Sequence, residues 1–165
     1  MNQVSAQVGG IDSVKVEVPA ELIRKTYKME LPKGWRVQDG CKDELCSLLS
    51  PADTLSYFDR FTENINITVN KLPSASYTVD KYASYSISYL PKVVKGFKLI
   101  SKKKLKSNVY LIEYTGEKSN FNQTWKQYYY VKNSKVFIVT FASEAKNYDY
   151  YLPIVEASLK SFRLL

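Results

Sequence analysis

The chain has 165 residues, 45% of them hydrophobic, which fits one domain with a true core and excludes a disordered chain. Its formal charge of +8 favours acidic partners without specifying a fold. Histidine is absent, which removes Ser-His-Asp triads, Cys-His dyads and histidine-ligated metal sites, and no run approaches the ~18 apolar residues of a membrane-spanning helix.

Residues 1–12 hold Gly9-Gly10 and few large apolar side chains, and read as a mobile tail before a single domain over 13–165. They lack the apolar core of a signal peptide. Val4-Ser5-Ala6 resembles either the stump of a removed secretion signal or an ordinary terminus. Val14–Val18 alternates like a short strand. Pro19–Arg24 starts on a proline that suits a first helical turn. Thr26–Leu31 alternates again, and Pro32-Lys33-Gly34 breaks the chain before Trp35. Leu45–Leu49 is a short apolar run stopped by Ser50-Pro51, and 51–60 reads as a loop or short helical turn. Asn64–Asn70 is a period-two strand, with Ile65, Ile67 and Val69 on one side and asparagine or threonine on the other.

Val79, Tyr82, Ala83, Ser86, Ile87 and Leu90 recur at helical spacing, with Thr78 or Ser76 as cap and Pro91 as stop. Four strands follow, at Phe97–Lys104, Asn108–Tyr114, Thr124–Val131 and Val136–Ser143. The polar connections Thr115–Asn120 and Lys132–Lys135 make adjacent strands antiparallel. Tyr148, Leu152, Val155, Leu159 and Phe162 form a last amphipathic helix, in which Pro153 is expected within the first turn. Two amphipathic helices need apolar faces to cover, and Tyr110/Ile112 against Val109/Leu111 gives the sheet two of them. The expected fold is α+β, an α/β/α sandwich with a central antiparallel sheet.

Candidate functional residues are few. Lys92, Lys95, Lys98, Lys102, Lys103, Lys104 and Lys106 form a strip with no acidic residue among them. Such a strip is either a docking patch or a solvated edge strand whose lysines block edge-to-edge pairing. Cys41 and Cys46, spaced C-x4-C, make either a small disulfide or two thiols, one of them buried on a strand. Tyr82, Tyr85 and Tyr89 either rim a small-ligand or lipid pocket between helix and sheet, or fill the seam. Asp39, Asp43, Glu44, Asp53 and Asp59 show no spacing that converges two carboxylates for acid–base work. There is no Walker loop, GxSxG, EF-hand or RNP-type motif, and arginine is missing from the lysine strip. The reading is a non-enzyme without cofactor, metal or specific nucleic-acid partner. The sequons Asn66-Ile67-Thr68 and Asn122-Gln123-Thr124 carry no information without a glycosylating host.

Four motifs in order resemble the PsbP-like family. They are Leu31-Pro32-Lys33-Gly34-Trp35, then Asn64–Val69, then Gln127–Val131 with Val136–Ala142, and finally Tyr151-Leu152-Pro153 with Ser161-Phe162. The resemblance spans roughly 27–163 and implies an α/β/α sandwich. Its members include an extrinsic photosystem II subunit, a remote Ran-binding transport factor, and secreted or lipid-anchored bacterial proteins. No catalytic residue is shared among them, and the photosynthetic member docks a basic surface on an acidic membrane complex. The resemblance therefore implies an accessory module of the cell envelope, or a secreted one, docking on an acidic protein or membrane-associated partner. A cytoplasmic setting and a tyrosine-lined ligand pocket are the alternatives.

Overall fold

The computed structural model describes residues 19–52 and 60–165. The expected tail, the domain boundary at 13, the strand at 14–18 and most of the 51–60 connection lie outside them. In chain order the elements are β1 (Glu21–Ile23), β2 (Tyr27–Glu30), β3 (Arg36–Val37), β4 (Leu45–Leu49), β5 (Asn64–Lys71), α1 (Val79–Tyr89), β6 (Lys95–Lys106), β7 (Val109–Lys118), β8 (Phe121–Lys132), β9 (Lys135–Glu144), α2 (Tyr148–Ser161) and β10 (Arg163–Leu164). Seven strands form one antiparallel sheet in the order β3-β4-β5-β9-β8-β7-β6, and β1-β2-β10 form a second, three-stranded sheet.

The period-two pattern of β5 places Ile65 and Ile67 in one core. Strand β9 is apolar on both sides and feeds two cores. Phe137, Val139 and Phe141 join Ile65, Ile67 and Tyr128 beneath Tyr151, Val155 and Leu159 of α2. Val136, Ile138 and Ala142 join Ile112, Trp125 and Tyr129 beneath Val79 and Ala83 of α1. The helices thus lie on opposite faces, and the architecture is the α/β/α sandwich expected from the sequence. Each fully buried Leu, Ile, Val or Phe contributes about 1.5–3 kcal/mol.

The sequence motifs are packing devices here. Trp35 meets Tyr151 edge-on at 6.5 Å, and Phe162 packs as a tilted ring against Tyr27 at 5.5 Å and Tyr130 at 4.7 Å. Thr78 caps α1 by accepting the Lys81 N–H at 3.3 Å. Pro91 sits in the 3-10 turn Leu90–Lys92 that ends α1.

Three local expectations are corrected. Pro19–Arg24 holds strand β1, not a helical turn. Leu22 is buried opposite Met29, and pairing with β2 outweighs the proline signal. Thr115–Asn120 is not a loop: β7 runs on to Lys118 because Thr115 Oγ1 and the Thr115↔Thr124 pairing extend the ladder. Pro153 lies inside α2 rather than in its first turn, which begins five residues earlier at Tyr148. Anchoring of Tyr148 and Tyr151 in the core offsets the lost N–H donor.

Two hairpins close through two-residue turns, Ser119-Asn120 (φ 53° and 66°) and Asn133-Ser134 (φ 51° and 58°). These left-handed pairs match the twist of the flanking strands. Serine pays a Cβ penalty there that glycine lacks, partly offset by glycine's looser unfolded chain. Ser134→Gly is therefore expected to stabilise the protein by about 0.5–1 kcal/mol, measured as a rise in the urea midpoint at constant slope.

The core is rich in phenols, and burial raises the pKa of Tyr27 and Tyr128 to about 12. Burial also raises Tyr82, Tyr114, Tyr129, Tyr130 and Tyr148. These groups are held neutral when folded, so their contribution is complete below the unfolded pKa near 10 and is lost as pH rises through the folded values. Stability should be insensitive to tyrosine titration below about pH 9.5 and fall steeply above pH 10, by up to about 1.4 kcal/mol per pH unit for each such group. Ultraviolet titration of the native protein should leave these seven tyrosines un-ionised until it unfolds.

Candidate functional site

Strand β6 is one edge of the large sheet, bonded to β7 alone among the described strands. Phe97 and Leu99 are half-buried against the α1-side core, and the rest of the strand is exposed. The register with β7 divides the lysines between two faces. Lys102 and Lys104 lie opposite Ile112 and Tyr110 on the α1 face. Lys95, Lys98, Lys103 and Lys106 lie opposite Glu117, Thr115, Leu111 and Val109 on the other. Lys92 is in the 3-10 turn before the strand. The lysines therefore wrap an edge rather than form one flat patch.

Two of them are engaged. Lys95 Nζ donates to Glu117 at 3.0 Å and Lys104 Nζ to Asp80 at 2.6 Å. Lys92, Lys98, Lys102, Lys103 and Lys106 form no ion pair among the described residues. The strand entry is shaped by Gly96 (φ 65°) at a register shift, and by Gly116 beneath it. A Cβ on Gly116 would collide with the Val94 side chain and lie 2.9 Å from the Lys95 carbonyl oxygen.

A polar cluster that sequence reasoning missed ties this edge down. Glu113 of β7 accepts from Tyr148 at 2.6 Å and from Ser101 of β6 at 3.0 Å. The nearly buried Lys126 of β8 stands 3.8 Å from the same carboxylate. Burial raises the Tyr148 phenol pKa, and the adjacent Glu113 raises it further, so the phenol stays a donor. No sequence signal marks the pair, because Glu113 and Lys126 are two charges among several on β7 and β8 and only the register sets them side by side.

The tyrosines separate. Tyr82 is half-buried, edge-on to Tyr129 at 5.1 Å. With Tyr77, Tyr85, Leu72, Pro73 and Lys71 it lines a cavity of about 350 Å³. Tyr89 does not line that cavity but stacks on Tyr85 at 5.9 Å, and both rings are exposed. A second groove of about 420 Å³, between α2 and the Pro32–Trp35 turn, is lined by Trp35, Leu31, Ile154 and Ser158 among others. Nothing in the sequence pattern marked it.

Cys41 and Cys46 are joined as a disulfide, with Cα atoms 4.4 Å apart. Cys46 is buried in β4. Asp39 and Glu44 are exposed, Asp43 stands 4.0 Å from Lys25, and Asp53 and Asp59 lie outside the described residues. Among the described residues no three His, Cys, Asp or Glu side chains gather to hold a metal, and no helix is long and apolar enough to cross a membrane.

Three solved structures share this arrangement of layers. The cyanobacterial PsbP protein CyanoP of Synechocystis aligns with a TM-score of 0.60 at 13% identity, over 96% of this chain and 99% of that one. The chain has the PsbP-like fold. LpqN of Mycobacterium tuberculosis, a protein involved in cell envelope biogenesis, aligns with a TM-score of 0.62 at 13% identity, over 91% of this chain and 87% of that one. PA94 of Pseudomonas aeruginosa, a protein of unknown function, aligns with a TM-score of 0.62 at 14% identity, over 81% of this chain and 88% of that one. No family model and no curated protein matches the sequence. At such identities the PsbP-like likeness speaks for fold, and function has to be argued from the surface of this chain.

Neutralising Glu113 would leave Lys126 nearly buried without its counter-charge. Because the pair is loose and Lys126 keeps some solvent, Glu113→Gln should destabilise by about 1–3 kcal/mol. Adding Lys126→Met should recover part of that loss, and urea unfolding of the double-mutant cycle measures the coupling.

Proposed function

We propose that this chain is a non-catalytic interaction module of the cell envelope that docks its basic β6 edge on an acidic protein or membrane-associated partner. The observation that carries the reading is the set of five exposed lysines without ion-pair partners among the described residues, on a segment with no acidic residue. A solvent-exposed lysine–carboxylate pair is worth only about 0.2–1 kcal/mol. Several acting together give an attraction that steers encounter and weakens with salt. The envelope setting is supported by the fold shared with LpqN, whose role is in cell envelope biogenesis, and by the Cys41–Cys46 disulfide, a bond that persists in oxidising compartments.

The test is charge reversal at positions with no ion-pair partner among the described residues. Lys98→Glu/Lys102→Glu/Lys103→Glu leaves the Lys104–Asp80 and Lys95–Glu117 pairs intact. A partner recovered from native extract is expected to bind the triple variant about tenfold or more weakly at low salt, with unchanged circular dichroism. Undiminished binding would overturn the reading.

The cavity walled by Tyr77, Tyr82 and Tyr85 favours a second reading, a small-ligand or lipid site. The exposed ring of Tyr85 in its lining would stack on a planar or apolar ligand. A thermal-shift screen against lipids and aromatic metabolites that finds no stabilisation would remove this alternative.

A further inference from the structure

We propose that the free edge of β6 takes up an acidic, extended segment of a protein partner as an added strand. This rests on the docking reading above and specifies the form of what docks. Strand β6 has twelve residues, whereas the opposite edge of the sheet, β3, has two. An edge strand turns unpaired N–H and C=O groups outwards at alternate residues, a template for strand addition. From Phe97 onwards its ten extended residues offer roughly 33 Å of it. No proline interrupts the strand.

The charges decide which strand fits. Residues of an added strand would lie beside their β6 neighbours on the same face, with Cβ atoms about 4.5–5.5 Å apart. Lys98, Lys103 and Lys106 await acidic side chains on one face, and Lys102 awaits one on the other. A second copy of β6 would set lysine against lysine, so the same side chains that forbid self-pairing select an acidic strand. The ladder between β6 and β7 is regular from Ser101 to Lys104 and shifts on either side. Ile100 and Leu105, 57% and 42% exposed, flank that stretch. The segment expected therefore carries acidic side chains beside Lys98, Lys102, Lys103 and Lys106 and apolar ones beside Ile100 and Leu105. The Ser101–Glu113 hydrogen bond holds the regular stretch in place before any partner arrives, which lowers the ordering cost of docking.

The experiment uses the full chain, isotopically labelled, and two probes. One is a short peptide of alternating glutamate and valine. The other has the same sequence with every backbone nitrogen methylated, which keeps its side-chain charge and removes the amide donors from both edges. The unmodified peptide is expected to bind about tenfold or more tightly than the methylated one and to slow amide exchange along Lys98–Lys106. Equal binding of both peptides would overturn strand addition while leaving electrostatic docking intact. Binding by neither would overturn strand addition, and docking would then stand or fall on the charge-reversal experiment alone.

Discussion

Strand β9 buries alternate side chains on both faces, Phe137, Val139 and Phe141 on one and Val136, Ile138 and Ala142 on the other, and that obliges the chain to cover the sheet twice. Antiparallel sheets commonly leave one face to water. Here neither face can be left bare without exposing several large apolar residues. One helix suffices on the β6–β8 side, where α1 contributes Val79 and Ala83. On the other side α2 alone is too narrow. The small sheet β1-β2-β10 widens the cover with Tyr27, Met29 and Leu22, sealed by Phe162. Tyrosine suits both seams where its ring adds apolar area and its hydroxyl meets a polar neighbour, as Tyr129 does with Ser86 and Tyr148 with Glu113, both at 2.6 Å.

Cover thins towards β6. The α1-side core reaches only Phe97 and Leu99, and no described element lies beyond. An edge so exposed would fray if it depended on burial alone. It is held instead by polar ties to its neighbours: Lys104 to Asp80 of α1, Lys95 to Glu117 of β7, and Ser101 to Glu113, which also binds Tyr148 of α2. The Glu113 carboxylate thus links β6, β7 and α2, with Lys126 of β8 supplying the counter-charge. Order without burial is the condition a docking edge has to meet.

Much of this fold was legible in the sequence because its signals are periodic. The alternation of Asn64–Asn70 and the helical spacing of Val79, Tyr82 and Ala83 each correspond to an element in the structure. What escaped was whatever depends on partners distant in sequence. Strand β1 is three residues long and exists because Leu22 meets Met29 across a ladder. Glu113 and Lys126 become a pair only once β7 and β8 are in register. Pro153 misled because a proline is read locally, whereas the start of α2 is set by Tyr148 packing on Phe141 at 5.6 Å. The lysine strip was visible as a run, but its division between two faces and its two internal ion pairs required the register of β6.

The same distinction bears on what the lysines mean. The motif residues shared with the PsbP-like resemblance, Trp35, Ile65, Phe141 and Phe162, are all buried, so they record the demands of packing and say nothing of partners. In β6 packing asks only for Phe97 and Leu99, and the remaining positions are free of the core. Blocking edge-to-edge association needs one or two well-placed charges. The strip carries seven lysines from Lys92 to Lys106, five of them without an acidic partner among the described residues. Crowding like charges also destabilises the folded state through mutual repulsion. A charge density beyond what edge protection needs, held on an ordered strand, is the feature on which the proposed docking rests.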